Sequence, residues 1–228
     1  MKFGIITPVF DGCLGSLELL SGELRLQTHS DWVWMLCSNG RSDKLADFAL
    51  RQREQAIYLH TEREDETDAF ALLENIGKRR DFCLKTIDAD YIFMIDADAK
   101  ILRTDMFQRI NSRLEKDPRS MCIYKIIHEV GVLPIFPIWY GRIDMLNFCV
   151  KANLAKKVGY PRTVKPDVAG NDFWYFTRVS ETSGYDYAFI DEIFCEHNGN
   201  NRYEHLMHLL SRDRAAREGK STKSSMGS

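Results

Sequence analysis

The chain has 228 residues and a formal net charge of −2, and its length suits one α/β domain with a buried core. The small net charge provides no global basic field, which argues against a nucleic-acid partner. None of the six cysteines is spaced as Cys-x-x-Cys, so they are interpreted as buried hydrophobic residues in a reducing compartment, not as a disulfide or zinc framework.

The chain starts without the apolar segment or cleavage signature of a secretory signal. No transmembrane helix is apparent either, so we expect a cytoplasmic protein.

The first half of the chain alternates strands and helices. A strongly charged segment at residues 61–67 is interpreted as a solvated loop. Strands are predicted at residues 2–8, 31–38 and 55–60, and helices at residues 14–26, 43–53 and 75–87.

A short apolar run at residues 91–95 ends in two carboxylates, Asp96 and Asp98. The run is too short for a membrane span and has no helical polar face, so it predicts a buried central strand. Ligands of open α/β sheets bind where such a strand ends, and two hard oxygen donors there suit Mg²⁺ or Mn²⁺. The alternative is a solvated acidic turn. A second Asp-Ala-Asp, at residues 88–90, precedes the strand and is interpreted as a turn.

The second half continues the alternation, which predicts a single α/β domain with a mostly parallel central sheet flanked by helices. A segment rich in proline and aromatic residues, 131–141, is expected to be a packed loop or a sheet edge. The small, polar tail at residues 219–228 is expected to be disordered. Strands are predicted at residues 121–127 and 185–193, and helices at residues 106–116, 151–161, from 171, and 202–218.

The end of the central strand carries a family resemblance. Residues 90–98 resemble the Asp-x-Asp segment of nucleotide-sugar glycosyltransferases of the GT-A fold, in particular glycosyltransferase family 2. The resemblance implies a nucleotide-diphosphate sugar as donor and a divalent cofactor, Mn²⁺ or Mg²⁺, bound by Asp98. It also implies that Asp96 contacts the donor ribose or sugar, or the metal through water.

Two loops resemble segments that hold the nucleotide base and ribose in that family. Thr7, Pro8 and Phe10 follow the pattern of its Thr-Pro loop, although a strand-to-helix turn capped by Asp11 is the alternative. The second loop departs from the family, because a Ser-Asn pair ending in Asn39 replaces an acidic pair. Asn39 still has the donors and the acceptor with which to hydrogen-bond a base.

Two further segments resemble parts that contact the diphosphate or its metal. Residues 75–80, with Gly77 and Arg80, resemble a stretch beside the donor diphosphate, and their cations are suited to phosphate contacts. The alternative is a basic, exposed helix start. His197 resembles a late histidine that contacts the metal or the diphosphate, and a neutral imidazole suits Mn²⁺. The alternative there is a structural histidine.

Asp172 resembles the acidic residue at a helix start that deprotonates the acceptor hydroxyl in inverting family members. Asn171 stands where the family frequently has glutamate. A sugar hydroxyl is a poor nucleophile, so removing its proton in the transition state accelerates transfer by orders of magnitude. A plain helix N-cap is the alternative role for Asp172.

Together these motifs imply a metal-dependent inverting glycosyltransferase whose domain spans residues 1–218. The donor half is expected at about residues 1–100 and the acceptor half at about residues 101–201, followed by the C-terminal helix. The acceptor is left open among a saccharide, a lipid carrier, a protein and a modified nucleobase.

Two other functional classes stay open. One is a non-catalytic or degenerate nucleotide-sugar binder, which the altered turn at Asn39 allows. The other is a haloacid-dehalogenase-like phosphatase, which also has Asp-x-Asp after an apolar strand. That family has its motif near the N-terminus with Thr or Val next, whereas here the motif is mid-chain and is followed by Ala99 and Lys100.

Overall fold

The structure is a computed structural model that describes residues 1–52, 55–66, 68–138, 140–161 and 171–199, and these residues form a mixed α/β domain. The predicted C-terminal helix and the polar tail lie outside the described residues. No helix within the described ranges combines the length and the apolar character needed to cross a membrane.

The described residues contain nine strands and six α-helices. The strands are β1 Phe3–Val9, β2 Trp32–Asn39, β3 Ala56–Thr61, β4 Tyr91–Met94, β5 Lys100–Ile101, β6 Met121–His128, β7 Gly131–Leu133, β8 Phe148–Lys151 and β9 Tyr187–Glu196. The helices are α1 Leu14–Arg25, α2 Asp43–Arg51, α3 Ala69–Thr86, α4 Met106–Lys116, α5 Ala152–Val158 and α6 Asn171–Ser183. Short 3₁₀ turns are formed by Asp11–Cys13 and Met145–Asn147.

All nine strands lie in one sheet, in the order β3-β2-β1-β4-β8-β6-β9-β5, with β7 paired to β6. Strands β1, β2, β3, β4, β6 and β9 run in one direction, and β5, β7 and β8 run in the other. The predicted α/β domain with a mostly parallel sheet flanked by helices is therefore confirmed.

Strand β4 is the buried central strand that the apolar run predicted. It pairs with β1 on one side and β8 on the other, and all four of its residues are buried. Because alternate side chains point to opposite faces, Phe93 packs on Phe3 in one apolar cluster, with ring centroids 5.2 Å apart. Ile92 and Met94 join the cluster on the other face. The first charged side chain after β4 is that of Asp96.

Two of the boundaries that differ from the prediction bear on the site. Helix α3 begins at Ala69, well before residue 75. Asp68 explains the early start, because its carboxylate accepts a hydrogen bond from the Ala71 amide at 2.9 Å, as an N-cap side chain does. Strand β9 runs to Glu196, beyond its predicted end, and so leads directly to His197.

Candidate active site

The turn that follows β4 is held in place by β1. The amide of Ile95 donates to the carbonyl of Ile6 at 3.1 Å, and the buried Thr7 hydroxyl donates to the carbonyl of Ile95 at 2.6 Å. Trp34 Nε1 in turn donates to the Thr7 hydroxyl at 2.8 Å. Thr7 therefore fixes the strand end from which Asp96 leaves, and its fully buried side chain does not reach the surface at which a donor was predicted to contact it.

Arg80 joins two of the predicted site residues. Its Nη2 donates to Asp96 Oδ1 at 2.6 Å, and its Nη1 lies 3.4 Å from Asp172 Oδ1. The hydroxyl of Tyr160 accepts from Arg80 Nη1 at 2.7 Å and donates to Asp172 Oδ1 at 2.9 Å. The acidic strand exit and the acidic helix start thus meet on one guanidinium. We call Arg80, Asp96, Tyr160 and Asp172 the Arg80 group.

The guanidinium of Arg80 and the Tyr160 side chain are buried, whereas the two carboxylates reach solvent. The side chain of Arg80 is 6% exposed, against 48% for Asp96 and 33% for Asp172. Burial opposes its charge, yet Asp96 and Asp172 hold the pKa of Arg80 well above its usual range. The sequence predicts that Arg80 contacts a phosphate of the donor. That phosphate would have to share the guanidinium with Asp96 and Asp172, which already bind it.

Asp98 is partly buried in the same turn. Burial, and then the negative charge of Asp96, raise the pKa of Asp98 to about 6, whereas His197 and Arg80 act in the opposite direction. A nearby cation favours the charged form of such a carboxyl group. The surroundings of Asp98 therefore suit a divalent-ion ligand.

A second polar cluster joins His197 to two residues that the sequence did not single out, His128 and Asp144. Asp144 Oδ2 lies 3.9 Å from Nε2 of each histidine, and the two rings stack with centroids 4.4 Å apart. Asp144 Oδ1 accepts from the Leu146 amide at 2.8 Å and so caps the 3₁₀ turn. Among the described residues, these three form the group whose potential metal-ligating atoms all lie within 4.8 Å of one another.

The electrostatics of this cluster connect it to the Arg80 group. Burial, and then the negative charge of Asp172, raise the pKa of Asp144 to about 7. Burial, and then His197, lower the pKa of His128, while Asp172 acts in the opposite direction. The cluster therefore lies within electrostatic range of Asp172.

The turn predicted to bind a nucleobase is covered by the charged segment at residues 62–66. Asn39 Nδ2 donates to the Glu64 carbonyl at 2.7 Å, and the Glu64 amide donates to Asn39 Oδ1 at 2.8 Å. Lys78 forms an ion pair with the Glu64 carboxylate. Both polar groups of the Asn39 side chain are therefore engaged within the protein.

Three other residues that are predicted to contact the donor differ in their exposure to solvent. Pro8 pairs with Cys37 in the register of β1 and β2. Gly77 is buried in the middle of α3, so it does not open a helix as the sequence predicts. Phe10 is 42% exposed, immediately after β1. Of the three, Phe10 presents the most accessible surface to a ligand.

Comparison with solved structures finds related folds, among them those of S. aureus TarS and of a mannosyltransferase. S. aureus TarS 1-349 matches over 86% of this chain and 60% of its own length, at 13% sequence identity and a TM-score of 0.67. The mannosyltransferase PcManGT from Pyrobaculum calidifontis matches over 86% of this chain and 56% of its own, at 14% identity and a TM-score of 0.60. The chain has a GT-A-like glycosyltransferase fold. No family model matches the sequence, and no curated protein does.

The GT-A-like fold brings together part of the predicted site and adds residues that sequence patterns did not reveal. Arg80, Asp96 and Asp172 meet, and their proposed roles stay predictions. The sequence did not predict three residues of the candidate site, because each lies at the end of a different element without a local motif. They are Tyr160, Asp144 and His128. For Tyr160 the available signal was its position directly after Gly159, which ends α5 with a positive φ of 67°.

Proposed function

We propose that this chain is a metal-dependent inverting glycosyltransferase that moves a sugar from a nucleotide-diphosphate sugar to an acceptor hydroxyl. The observation that carries the proposal is the Arg80 group, in which Asp96 and Asp172 bind the same guanidinium. A donor-side carboxylate and a candidate base therefore lie one side chain apart. Group transfer requires this closeness, because both substrates must be held with their reacting atoms in contact.

The proposed donor is supported by what the structural neighbours contain. TarS has been determined in complex with UDP and with UDP-GlcNAc, and PcManGT with GDP-Man and Mn²⁺. In this chain we assign Pro8 and Phe10 to the base and ribose side of the donor, with the fully buried Thr7 supporting the strand end behind them. Asn39 can contact the base only after the Glu64 backbone has been displaced.

The proposed cofactor is Mn²⁺ or Mg²⁺, with Asp98 and His197 as its ligands and Asp96 beside the donor. The support is that Asp98 is a partly buried carboxyl group whose charged form a cation favours, and that His197 lies within electrostatic range of it. When bound, such an ion neutralises the leaving diphosphate.

Asp172 is the proposed general base. Its Oδ1 is held by Tyr160 and Arg80, which orients the carboxylate at the start of α6. The acceptor oxygen attacks the anomeric carbon from the face opposite the diphosphate. The new carbon–oxygen bond forms as the bond to the diphosphate breaks, the acceptor proton passes to Asp172, and the configuration is inverted.

The test is a screen of UDP- and GDP-sugars with Mn²⁺ in which released nucleotide is measured. Asp172→Asn should lower release at least about 100-fold, the size of a lost general base. Asp98→Asn should also lower release, because it removes a metal ligand. Asp88→Asn is the matched control, since Asp88 belongs to the other Asp-Ala-Asp and its carboxylate is exposed. Wild-type turnover in both site variants would reject the proposal.

Two further measurements separate the other two classes. Metal-dependent binding of nucleotide diphosphates without release of nucleotide from any donor would favour a non-catalytic binder. Hydrolysis of a chromogenic phosphate ester that is lost in Asp96→Asn would favour a phosphatase. Neither outcome is expected if Asp172 serves as the base.

A further inference from the structure

We propose that His128, Asp144 and His197 together bind one transition-metal ion, of the class of Mn²⁺, Co²⁺ or Zn²⁺. Metal binding by these three residues does not depend on whether the protein transfers a sugar. Only the use of the ion in sugar transfer rests on the proposed function. Because His197 belongs to both assignments, the ion is the one proposed above, and the inference adds His128 and Asp144 as ligands, neither of which belongs to the Asp-x-Asp motif.

The three side chains are carried by paired elements. Strands β6 and β9 pair in parallel with Ile127 opposite Glu196, so His128 and His197 are the next residues on each strand. The His197 amide donates to the Ile127 carbonyl at 2.8 Å, which extends the pairing. A site held by a sheet in this way is rigid enough to fix metal ligands.

The 3₁₀ turn that carries Asp144 is tied to the same strand. Asn147 Nδ2 donates to the carbonyl of Tyr124 on β6 at 3.0 Å, and the Asp144 amide donates to Asn147 Oδ1 at 2.9 Å. Because Oδ1 of Asp144 is held by the Leu146 amide, its other oxygen is the one that faces the two rings. The carboxylate is therefore already oriented towards both histidines.

The spacing of the ligand atoms is nearer to that of a metal site than to that of hydrogen bonds. At 3.9 Å, each contact between Nε2 and Asp144 Oδ2 is too long for a direct hydrogen bond. Ligands at about 2.0–2.1 Å from a tetrahedral ion lie about 3.3 Å apart. Closure by roughly half an ångström on each contact would bring the carboxylate and each imidazole to this spacing, with a fourth position left for another ligand.

The second nitrogen of each ring, Nδ1, determines which tautomer the histidine can adopt. His197 Nδ1 is buried and has no hydrogen-bond partner among the described residues, so no bond to it opposes the tautomer in which Nε2 binds a metal. His128 Nδ1 accepts a long hydrogen bond, 3.3 Å, from the Val130 amide. That bond has to open when Nε2 binds a metal, because Nδ1 then carries the ring proton.

The donor set selects the class of ion. Imidazole nitrogens suit Zn²⁺, Co²⁺ and Mn²⁺, whereas Mg²⁺ and Ca²⁺ prefer shells made of oxygen. Two imidazoles and one carboxylate should therefore bind these transition metals in preference to Mg²⁺. An ion held by Asp96 and Asp98 alone would show no such preference.

The test measures metal binding by the full chain after removal of metal with a chelator. Calorimetry and elemental analysis should find one Mn²⁺, Co²⁺ or Zn²⁺ per chain, and visible absorption of bound Co²⁺ should report nitrogen ligation. Asp144→Asn and His128→Gln should each weaken binding by at least the 10–100-fold that loss of an outer-shell partner causes. His60→Gln, an exposed histidine on β3, is the matched control and should bind as the wild type does.

The two variants also guard against misfolding. Asp144→Asn keeps an oxygen for the Leu146 amide, and far-ultraviolet circular dichroism checks its fold. If Asp144→Asn does not fold, His128→Gln carries the test, because that side chain is 20% exposed at a strand end. A wild-type chain that binds none of these ions, or a folded variant that binds them undiminished, would overturn the proposal.

Failure of this site can be told from failure of the proposed function. If the folded variants bind metal undiminished while the wild type still releases nucleotide, the cluster assignment falls and the transferase stands. If the cluster binds its ion but no donor yields nucleotide, the metal site stands and the proposed function falls.

Discussion

Arg80 is the residue whose surroundings most constrain the site. One buried guanidinium binds Asp96, Tyr160 and Asp172, and the pattern depends on a planar group with donors on two separate nitrogens. A lysine ammonium carries the same charge at a single point, so it cannot span both carboxylates with the same geometry. Charge alone is therefore insufficient at this position.

We predict that Arg80→Lys lowers the free energy of unfolding by about 1.5–3 kcal/mol, the range for hydrogen bonds to charged groups. Arg79→Lys is the matched control, because Arg79 is equally buried on the same helix but, among the residues that the structure describes, forms an ion pair with Glu66 alone. Urea unfolding of both variants measures the difference. An equal loss in the two would mean that the second carboxylate adds nothing to the stability of the Arg80 group.

At this scale the sequence singled out residues that stand at the boundary of a regular element in a recognisable motif. Asp96 and Asp98 were singled out because they follow an apolar strand, and Asp172 because its segment resembles an acidic family motif at a helix start. Asp144 and His128 were missed because their significance comes from a contact between segments far apart in the chain, which has no local pattern. The engagement of Asn39 by Glu64 was invisible for the same reason.

Among the elements, α4 is tied to β9 by a network of ion pairs. Arg103 and Arg109 both bind the carboxylate of Asp105, at 2.9 and 2.6 Å, and both also bind Glu192 on β9. Asp105 precedes α4, but its side chain makes no cap bond to the helix. These hydrogen bonds with Arg103 and Arg109 hold the pKa of Asp105 down at about 2.

A pH dependence of stability follows from the low pKa of Asp105. A carboxyl group whose pKa is lower in the folded state stabilises the fold above its unfolded pKa, near 3.8, and loses that effect as the pH falls towards 2. Asp105→Asn should therefore destabilise the protein by about 0.5–1 kcal/mol at pH 7, given its exposure to solvent. Urea midpoints between pH 7 and pH 3 should show the difference shrinking below about pH 4.

Glu115→Gln provides the control, since Glu115 lies on the exposed face of the same helix. It should leave the urea midpoint unchanged across this pH range. A difference between wild type and Asp105→Asn that stays constant down to pH 3 would contradict the role given to the Asp105 carboxylate.

The charged segment at residues 62–66 is the element that a nucleotide would have to move. The Glu64 amide is hydrogen-bonded to Asn39, so a base that takes the Asn39 side chain leaves this amide without its acceptor. We therefore predict faster hydrogen exchange at Glu64 when a nucleotide diphosphate is bound. Slower or unchanged exchange there, at saturating nucleotide, would place the base away from Asn39.

The elements themselves were predicted where their pattern is local. The buried β4 and the leucine-rich α1 followed from apolar runs and spacing, whereas the start of α3 was placed too late because the capping role of Asp68 has no strong signal in a charged segment. The antiparallel insertion of β8 between β4 and β6 was not predicted, because strand order depends on pairings between distant segments.

For the whole molecule, ligands that bind the folded state should raise its thermal stability. A ligand present at 100 times its dissociation constant adds about 2.7 kcal/mol, which in a domain of this size corresponds to roughly 5–11 °C in melting temperature. We predict a shift of this order with Mn²⁺ and UDP or GDP together. Chelator should abolish the nucleotide-dependent part, and an unchanged melting temperature with every pair would argue against a nucleotide-diphosphate site.

At this scale the sequence predicted the α/β class and the single sheet, because strands alternate with helices along the chain. The arrangement of the site was predicted only in part. The Arg80 group depends on α3, β4, α5 and α6 packing against one another, and no pattern within a single segment specifies that packing.

The pairing of β8 with β4 has a consequence for how this protein can be divided. The expected donor half, about residues 1–100, would expose one whole edge of β4 if it were expressed alone, and unpaired strand edges promote aggregation. Neither fragment would then be a module that can be exchanged with a relative. Two separately expressed fragments should instead recover a folded, soluble protein only when they are refolded together.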